Sequence, residues 1–121
     1  MRGLEEVVEH CKIAALWSSY DLEADGPLDE DHIIEDMADD ADMAIRQMCM
    51  SFMQDAGDLL DAYPMSWAQL GHDIWLTANG HGAGFLDRLE LTGTVAYQLD
   101  AIAKGFPEID LYVGDDGKIH A

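Results

Sequence analysis

The sequence predicts an α+β fold: about four helices packed on one face of a small, mainly antiparallel sheet with a C-terminal β-hairpin. Three observations lead there. Apolar residues recur at helical spacing in four separate segments. The period changes after Asn79-Gly80, where a short Gly-rich run begins. Near the C-terminus, two short β-type runs flank the turn Gly114-Asp115-Asp116-Gly117. With 121 residues, 49% of them apolar, the chain can bury one core, so a single domain is expected over 1–121.

The first helix is expected in "LEEVVEHCKIAALWSSY", with Leu4, Val7, Val8, Cys11 and Ala15 on its apolar stripe and Glu5, Glu6 and Glu9 off it. "DLEADGPLDEDH" then reads as a loop with a Gly-Pro break. The second helix is the longest, with Asp29, Glu30 or Asp31 as its cap. Ile34, Met37, Ala41, Ile45, Met48, Phe52 and Ala56 form its stripe; Gly57 ends or bends it, and "DLLDAYP" adds a last turn. Ser66 opens the third helix, and Gln69 three residues later completes a capping-box pattern. Its buried stripe is Trp67, Leu70, Ile74 and Ala78, and Asn79-Gly80 supplies the left-handed C-terminus. "GAGFLDRL" reads as a strand. A fourth helix follows, capped by Thr94, striped by Val95, Leu99 and Ile102, and stopped by Gly105 and Pro107. Leu111-Tyr112-Val113 and Lys118-Ile119-His120 are the arms of the hairpin, and the strand near Phe85 makes a sheet of about three strands.

Charge is the most unusual property of the chain: 25 acids stand against 6 Lys and Arg, a formal net charge of -19. Nucleic acid and anionic membranes are disfavoured as direct partners, and basic proteins or cations are favoured. Cys11 and Cys49 are too few for a disulfide framework and read as buried reduced thiols of a cytosolic protein. "MRGLEEVVEH" lacks the apolar core of a secretory signal, and no apolar run is long enough to span a membrane.

From Asp21 to Asp42 there are eleven acids and no Lys or Arg. If the second helix begins near Asp31, then Glu35, Asp36, Asp39 and Asp40 share one exposed face, with carboxylates roughly 5–6 Å apart on successive turns. Phosphates along a DNA strand are spaced comparably, so such a face would present a DNA-like row of anions to a protein built to grip phosphates. The residues expected to bind a partner this way are Asp29, Glu30, Glu35, Asp36, Asp39, Asp40 and Asp42. The plainer reading is an acidic face that keeps a small domain soluble. A third is cation binding by Asp pairs, although neither "DLEADGPLDEDH" nor "VGDDGKIHA" has EF-hand spacing.

The other distinctive stretch is "GHDIWLTANGHGAGF", residues 71–85. A metal reading uses His72 and His81 with Asp73 or Asp87, but the histidines lie nine positions apart, outside the usual zinc spacings. A hydrolase reading would take Ser66 or Thr77 as nucleophile, or a His72–Asp87 pair as general acid and base, without a nucleophile-elbow pattern. The structural reading treats His72, Asp73, Trp75, Asn79, His81 and Asp87 as parts of a capped helix running into a Gly-rich strand, with Asp73 or His72 hydrogen-bonded locally. On that reading no catalytic residue, metal or cofactor is expected.

The same stretch carries a resemblance. "GHDIWLTANGHGAGFLDR", with "ALWSSYD…PLD" before it and "LYVGDDGKIH" after it, resembles a family of small acidic proteins of tailed bacteriophages. Departures from the family pattern are Ile74 for an aromatic, Ala78 for a basic residue, Leu86 for Trp and His120 for Tyr. The family has no settled activity, so the resemblance implies a phage context. Small, very acidic phage proteins often block host restriction or CRISPR systems. The expectation is therefore a non-enzymatic inhibitor in the host cytoplasm that mimics nucleic acid against a basic, nucleic-acid-binding host protein, with a homodimer compatible. The alternatives are a small enzyme or metal protein centred on His72 and His81, and an acidic structural or interaction protein.

Overall fold

The structure is a computed structural model that describes residues 2–81, 84–88, 90–91 and 93–121. Four helices dominate: α1 (Leu4–Ser18), α2 (Asp39–Ala56), α3 (Trp67–Ala78) and α4 (Gly93–Lys104). Two short antiparallel strand pairs accompany them: β1 (Tyr20–Asp21) with β2 (Gly26–Pro27), and β3 (Tyr112–Val113) with β4 (Ile119–His120). The fold is α+β, and the C-terminal hairpin forms where its turn residues place it: Gly114 N–H donates to Lys118 O at 2.8 Å, and Gly117 takes φ 78°. Among the described residues no helix is long and apolar enough to cross a membrane.

The core lies where α1 and α3 cross. Gly71 makes that approach possible: a Cβ there would overlap Val7 O and stand 2.8 Å from Cys11 N, so the two backbones touch. Around the crossing, Val7, Cys11, Ile45, Phe52, Leu70, Ile74 and Leu99 are fully buried. From Leu70 to Ala78 every residue of α3 except His72 is buried, so this helix is enclosed rather than one-sided. Both cysteines are buried and unbridged, and burial pushes the Cys11 thiol up, keeping it protonated. A smaller cluster of Leu16, Leu28 and Ile119, flanked by Ile34, Met37, Leu111 and Val113, fastens the hairpin to the rest.

Local expectations fail in four places, the first two for a tertiary reason. The second helix does not start near Asp29–Asp31; α2 begins at Asp39, after two separate 3-10 turns, Leu28–Glu30 and Ile34–Asp36. Met37 pairs with Ile119 in a parallel bridge, and Ala38 N–H donates to Ile119 O at 2.8 Å. That contact holds residues 37–38 extended, while the Asp36 carboxylate accepts from Ile33 N–H at 2.9 Å and closes its own turn. Second, no strand forms at Phe85. Residues 85–87 make a 3-10 turn, Phe85 N–H donates to the Thr77 hydroxyl at 3.2 Å, and its ring stacks on Phe52 at 5.5 Å. Its backbone is satisfied by a side chain instead of a neighbouring strand; residues 82, 83 and 89 of the expected strand lie outside the described residues. Among the described residues the strands form two separate pairs, not one three-stranded sheet.

Third, the capping box at α3 is half formed. Ser66 Oγ accepts from Gln69 N–H at 3.1 Å, but the Gln69 amide turns to Asp73 instead of reaching back. Fourth, α4 begins at Gly93, which places Thr94 inside the helix and not at its cap.

Candidate functional site

The 71–85 stretch is built around a buried carboxylate. Asp73 is fully buried, and four donor contacts converge on it. Tyr63 O–H lies at 2.5 Å, the Gln69 amide at 3.0 Å, and Arg88 donates through Nε at 2.9 Å and Nη2 at 2.6 Å. The Tyr63 hydroxyl is pushed well above its ordinary range, first by burial and then by its bond to the Asp73 carboxylate. The network ties α3 to the segment before it and to the turn after it. Sequence reasoning named Asp73 and missed its partners Tyr63 and Arg88. The signal was present: Arg88 is one of only six basic residues and closes the same motif.

The remaining motif residues do separate jobs. Trp75 is 1% exposed, and its indole N–H donates to Ser18 Oγ at 2.8 Å. The Asn79 amide donates to Trp75 O, and its carbonyl accepts from Ile109 N–H at 2.8 Å, which holds the approach to the hairpin. Gly80 takes the left-handed conformation with φ 71°. Ser66 Oγ and the Thr77 hydroxyl, the two proposed nucleophiles, accept backbone N–H bonds. His72 sits half-buried beside the rings of His10 at 5.6 Å and Trp17 at 6.4 Å. Its pKa is lowered, first by burial and then by His10.

The expected pairings of His72 do not form. Asp87 is exposed, and no hydrogen bond or ion pair joins it to His72. His81 lies beyond the helix end and, with Trp75, Asn79, Ser19 and Tyr20, lines a cleft of about 350 Å³ that excludes His72. Among the described residues, no three His, Cys, Asp or Glu side chains gather into a group able to hold a metal ion.

The acidic surface is divided differently from the single helical row. Asp29 and Glu30 lie in the first 3-10 turn, Glu35 and Asp36 in the second, and Asp39, Asp40 and Asp42 in the first turn of α2. Successive-turn spacing therefore applies to none of the pairs that join Glu35 or Asp36 to α2. Three of the seven are engaged. Asp36 closes its turn on Ile33. Asp42 pairs with Lys12 and lies 3.7 Å from Arg46, and the Lys12 bond above all holds its carboxyl below the ordinary range. Asp40 binds His120 at 3.1 Å. Asp29, Glu30, Glu35 and Asp39 are exposed, and no hydrogen bond or ion pair to a described residue engages them. Asp29 and Glu35 flank a shallow groove floored by Ile13, Leu16 and Ile34.

His120, which sequence reasoning did not single out as a site, is clamped between two carboxylates. Nδ1 faces Asp40 at 3.1 Å, Nε2 faces Asp116 at 3.0 Å, and the Tyr112 ring stacks alongside at 5.7 Å. The clamp ties the hairpin to the start of α2. Its pKa is raised from 6.5, first by Asp116 and then by Asp40. Asp116 is lowered from 3.8 by Lys118 N–H and by His120; for Asp40, the bonds to His120 and Ala41 N–H outweigh desolvation and lower it too. The His120 contribution is complete below 6.5 and is lost as pH rises through its raised native value; the Asp contributions are lost as pH falls below 3.8. The stability difference between wild type and His120→Gln is therefore expected to be larger at about pH 6 than at about pH 8. Urea unfolding at both pH values checks this, and an equal difference at both would refute the clamp.

Compared with known proteins, the chain matches no family model, no curated protein and no solved structure.

Proposed function

We propose that the protein is an acidic inhibitor of phage type that occupies the nucleic-acid-binding surface of a basic host protein, as a nucleic-acid mimic of the anti-restriction or anti-CRISPR kind. One observation carries the reading. The net charge is -19, and four of the six Lys and Arg side chains are already held by carboxylates of the same chain: Lys12 by Asp42, Arg46 by Glu5, Arg88 by Asp73 and Lys104 by Asp100. A net charge of this size gives an outward field that steers basic partners and repels nucleic acid itself. The resemblance of residues 71–85 to small acidic phage proteins supports the same context, and the host cytoplasm is the corresponding location.

Within the acidic belt, Asp29, Glu30, Glu35 and Asp39 are the contacts this reading favours, because Asp36, Asp40 and Asp42 already have partners. Converting those four together to Asn or Gln is expected to weaken partner binding about tenfold, at roughly 0.2–1 kcal/mol per exposed charge contact. The same number of changes at Asp55, Asp58, Asp61 and Asp115 serves as the charge-matched control. Titration calorimetry at two salt concentrations reads both. Equal loss in the two variants would assign binding to the net charge and not to these four carboxylates, and no loss in either would reduce the acidity to a solubilising role.

A second reading, a ligand or catalytic site, has the cleft beside His81 in its favour. It predicts that His81→Ala, with the fold intact, abolishes the phenotype in a phage plating assay. The inhibitor reading predicts that His81→Ala leaves it unchanged.

A further inference from the structure

His10 and His72 meet across the α1–α3 crossing, with ring centroids 5.6 Å apart and planes inclined at 47°. Two imidazoles bound to one ion through nitrogen, at about 2.0–2.1 Å each, hold their centroids roughly 5–5.5 Å apart at near-tetrahedral angles. The separation is thus already close to that of a chelating pair. It is enforced by the backbone, because Gly71, next to His72, lets α3 press directly on Val7 and Cys11 of α1. Neither ring is committed elsewhere: no hydrogen bond or ion pair to a described residue engages His10 or His72, unlike His120 between its two carboxylates. Both are partly exposed, so an ion has access. The net charge of -19 raises the local concentration of cations.

We propose that His10 and His72 form a two-imidazole site for a divalent transition-metal ion of the zinc or nickel type, its other positions filled by water. Nitrogen ligands select such ions over magnesium and calcium, which prefer the oxygen ligands abundant elsewhere on this surface. The ion would bridge α1 to α3, and Trp17, 43% exposed and stacked on His72, would report its arrival. The site is independent of the acidic face and does not involve His81.

The test titrates Ni²⁺ into the intact protein in excess Mg²⁺, which occupies the carboxylates, and follows tryptophan fluorescence. One equivalent should give saturable quenching that Trp17→Phe removes. His10→Gln and His72→Gln should each weaken binding by at least the ~10-fold that loss of even an outer-shell partner costs. His81→Gln should leave it unchanged. Quenching that never saturates, that is the same in His10→Gln and His72→Gln as in wild type, or that His81→Gln diminishes, overturns the proposal. Should either His variant fail to fold, Zn²⁺ added to the wild type decides by NMR. Ring-nitrogen shifts confined to His10 and His72 support the site, and shifts elsewhere or none refute it.

Discussion

Arg88→Met is expected to destabilise the protein by about 3–5 kcal/mol, the cost of leaving a buried charge without its partner. The asymmetry of the pair determines which side matters more. Asp73 is fully buried, whereas the Arg88 side chain is 26% exposed and can reach water. Removing the guanidinium therefore strands the carboxylate with Tyr63 and Gln69 as its remaining donors among the described residues, while removing the carboxylate leaves a cation that can still be hydrated. Asp73→Asn should accordingly cost less than Arg88→Met. Against a typical domain stability of roughly 5–15 kcal/mol, the Arg88 effect is a large part of the total. Replacing both together, Asp73→Leu with Arg88→Met, should recover only part of the loss: a buried pair often gains little over apolar residues of similar size, but the Tyr63 hydroxyl and Gln69 amide lose their acceptor. Urea denaturation of the two single variants and the double variant checks all three. A loss under about 1 kcal/mol for Arg88→Met, the range of an exposed pair, would show that Asp73 is hydrated in solution.

Trp75→Ala is the second large effect, about 3–5 kcal/mol from lost burial and the cavity left behind. The indole sits between α1 and the residues that lead to the hairpin, and its N–H is satisfied by Ser18. Trp75→Phe separates the two contributions, since it keeps most of the apolar area and removes the hydrogen bond. Ser18→Ala leaves the indole N–H unpaired and should cost about 1–3 kcal/mol. Thermal unfolding of the three variants should rank Ala at position 75 as the worst. If Trp75→Ala unfolds like wild type, the motif is not a structural keystone and the cleft beside it becomes the better explanation for its residue types.

These expectations show how far local sequence carries the structure. Period and punctuation within a few residues carry much of the reading: α1 spans its stripe, Ser66 caps α3, Gly57 ends α2 and Gly80 ends α3 in the left-handed region. Wherever a distant partner decides, it fails. Residues 37–38 look helical by spacing, yet they pair with Ile119, more than eighty positions away. Phe85 looks like strand by composition, but a hydroxyl of α3 and a phenyl ring of α2 claim its backbone and side chain.

The candidate sites follow the same rule. Asp73 was legible as a residue needing a partner, but Arg88 lies fifteen positions on, beyond a turn whose geometry no periodicity encodes. His72 was legible as unusual, but its neighbour His10 depends on the closeness of a helix crossing set by Gly71. The acidic belt was legible as charge, and only the fold separates Asp29, Glu30, Glu35 and Asp39 from the acids already engaged. On the inhibitor reading, the proposed contacts move from one helical row to four exposed carboxylates on two 3-10 turns and the first turn of α2.

The most direct test of the inhibitor reading is capture of host-lysate proteins on the immobilised protein at low salt, followed by elution with duplex DNA or RNA. The account predicts that nucleic-acid-binding proteins are retained, that the duplex and raised salt both release them, and that the four-acid variant retains markedly less. Retained proteins that nucleic acid does not displace, or a column that holds no nucleic-acid-binding protein at low salt, would contradict it.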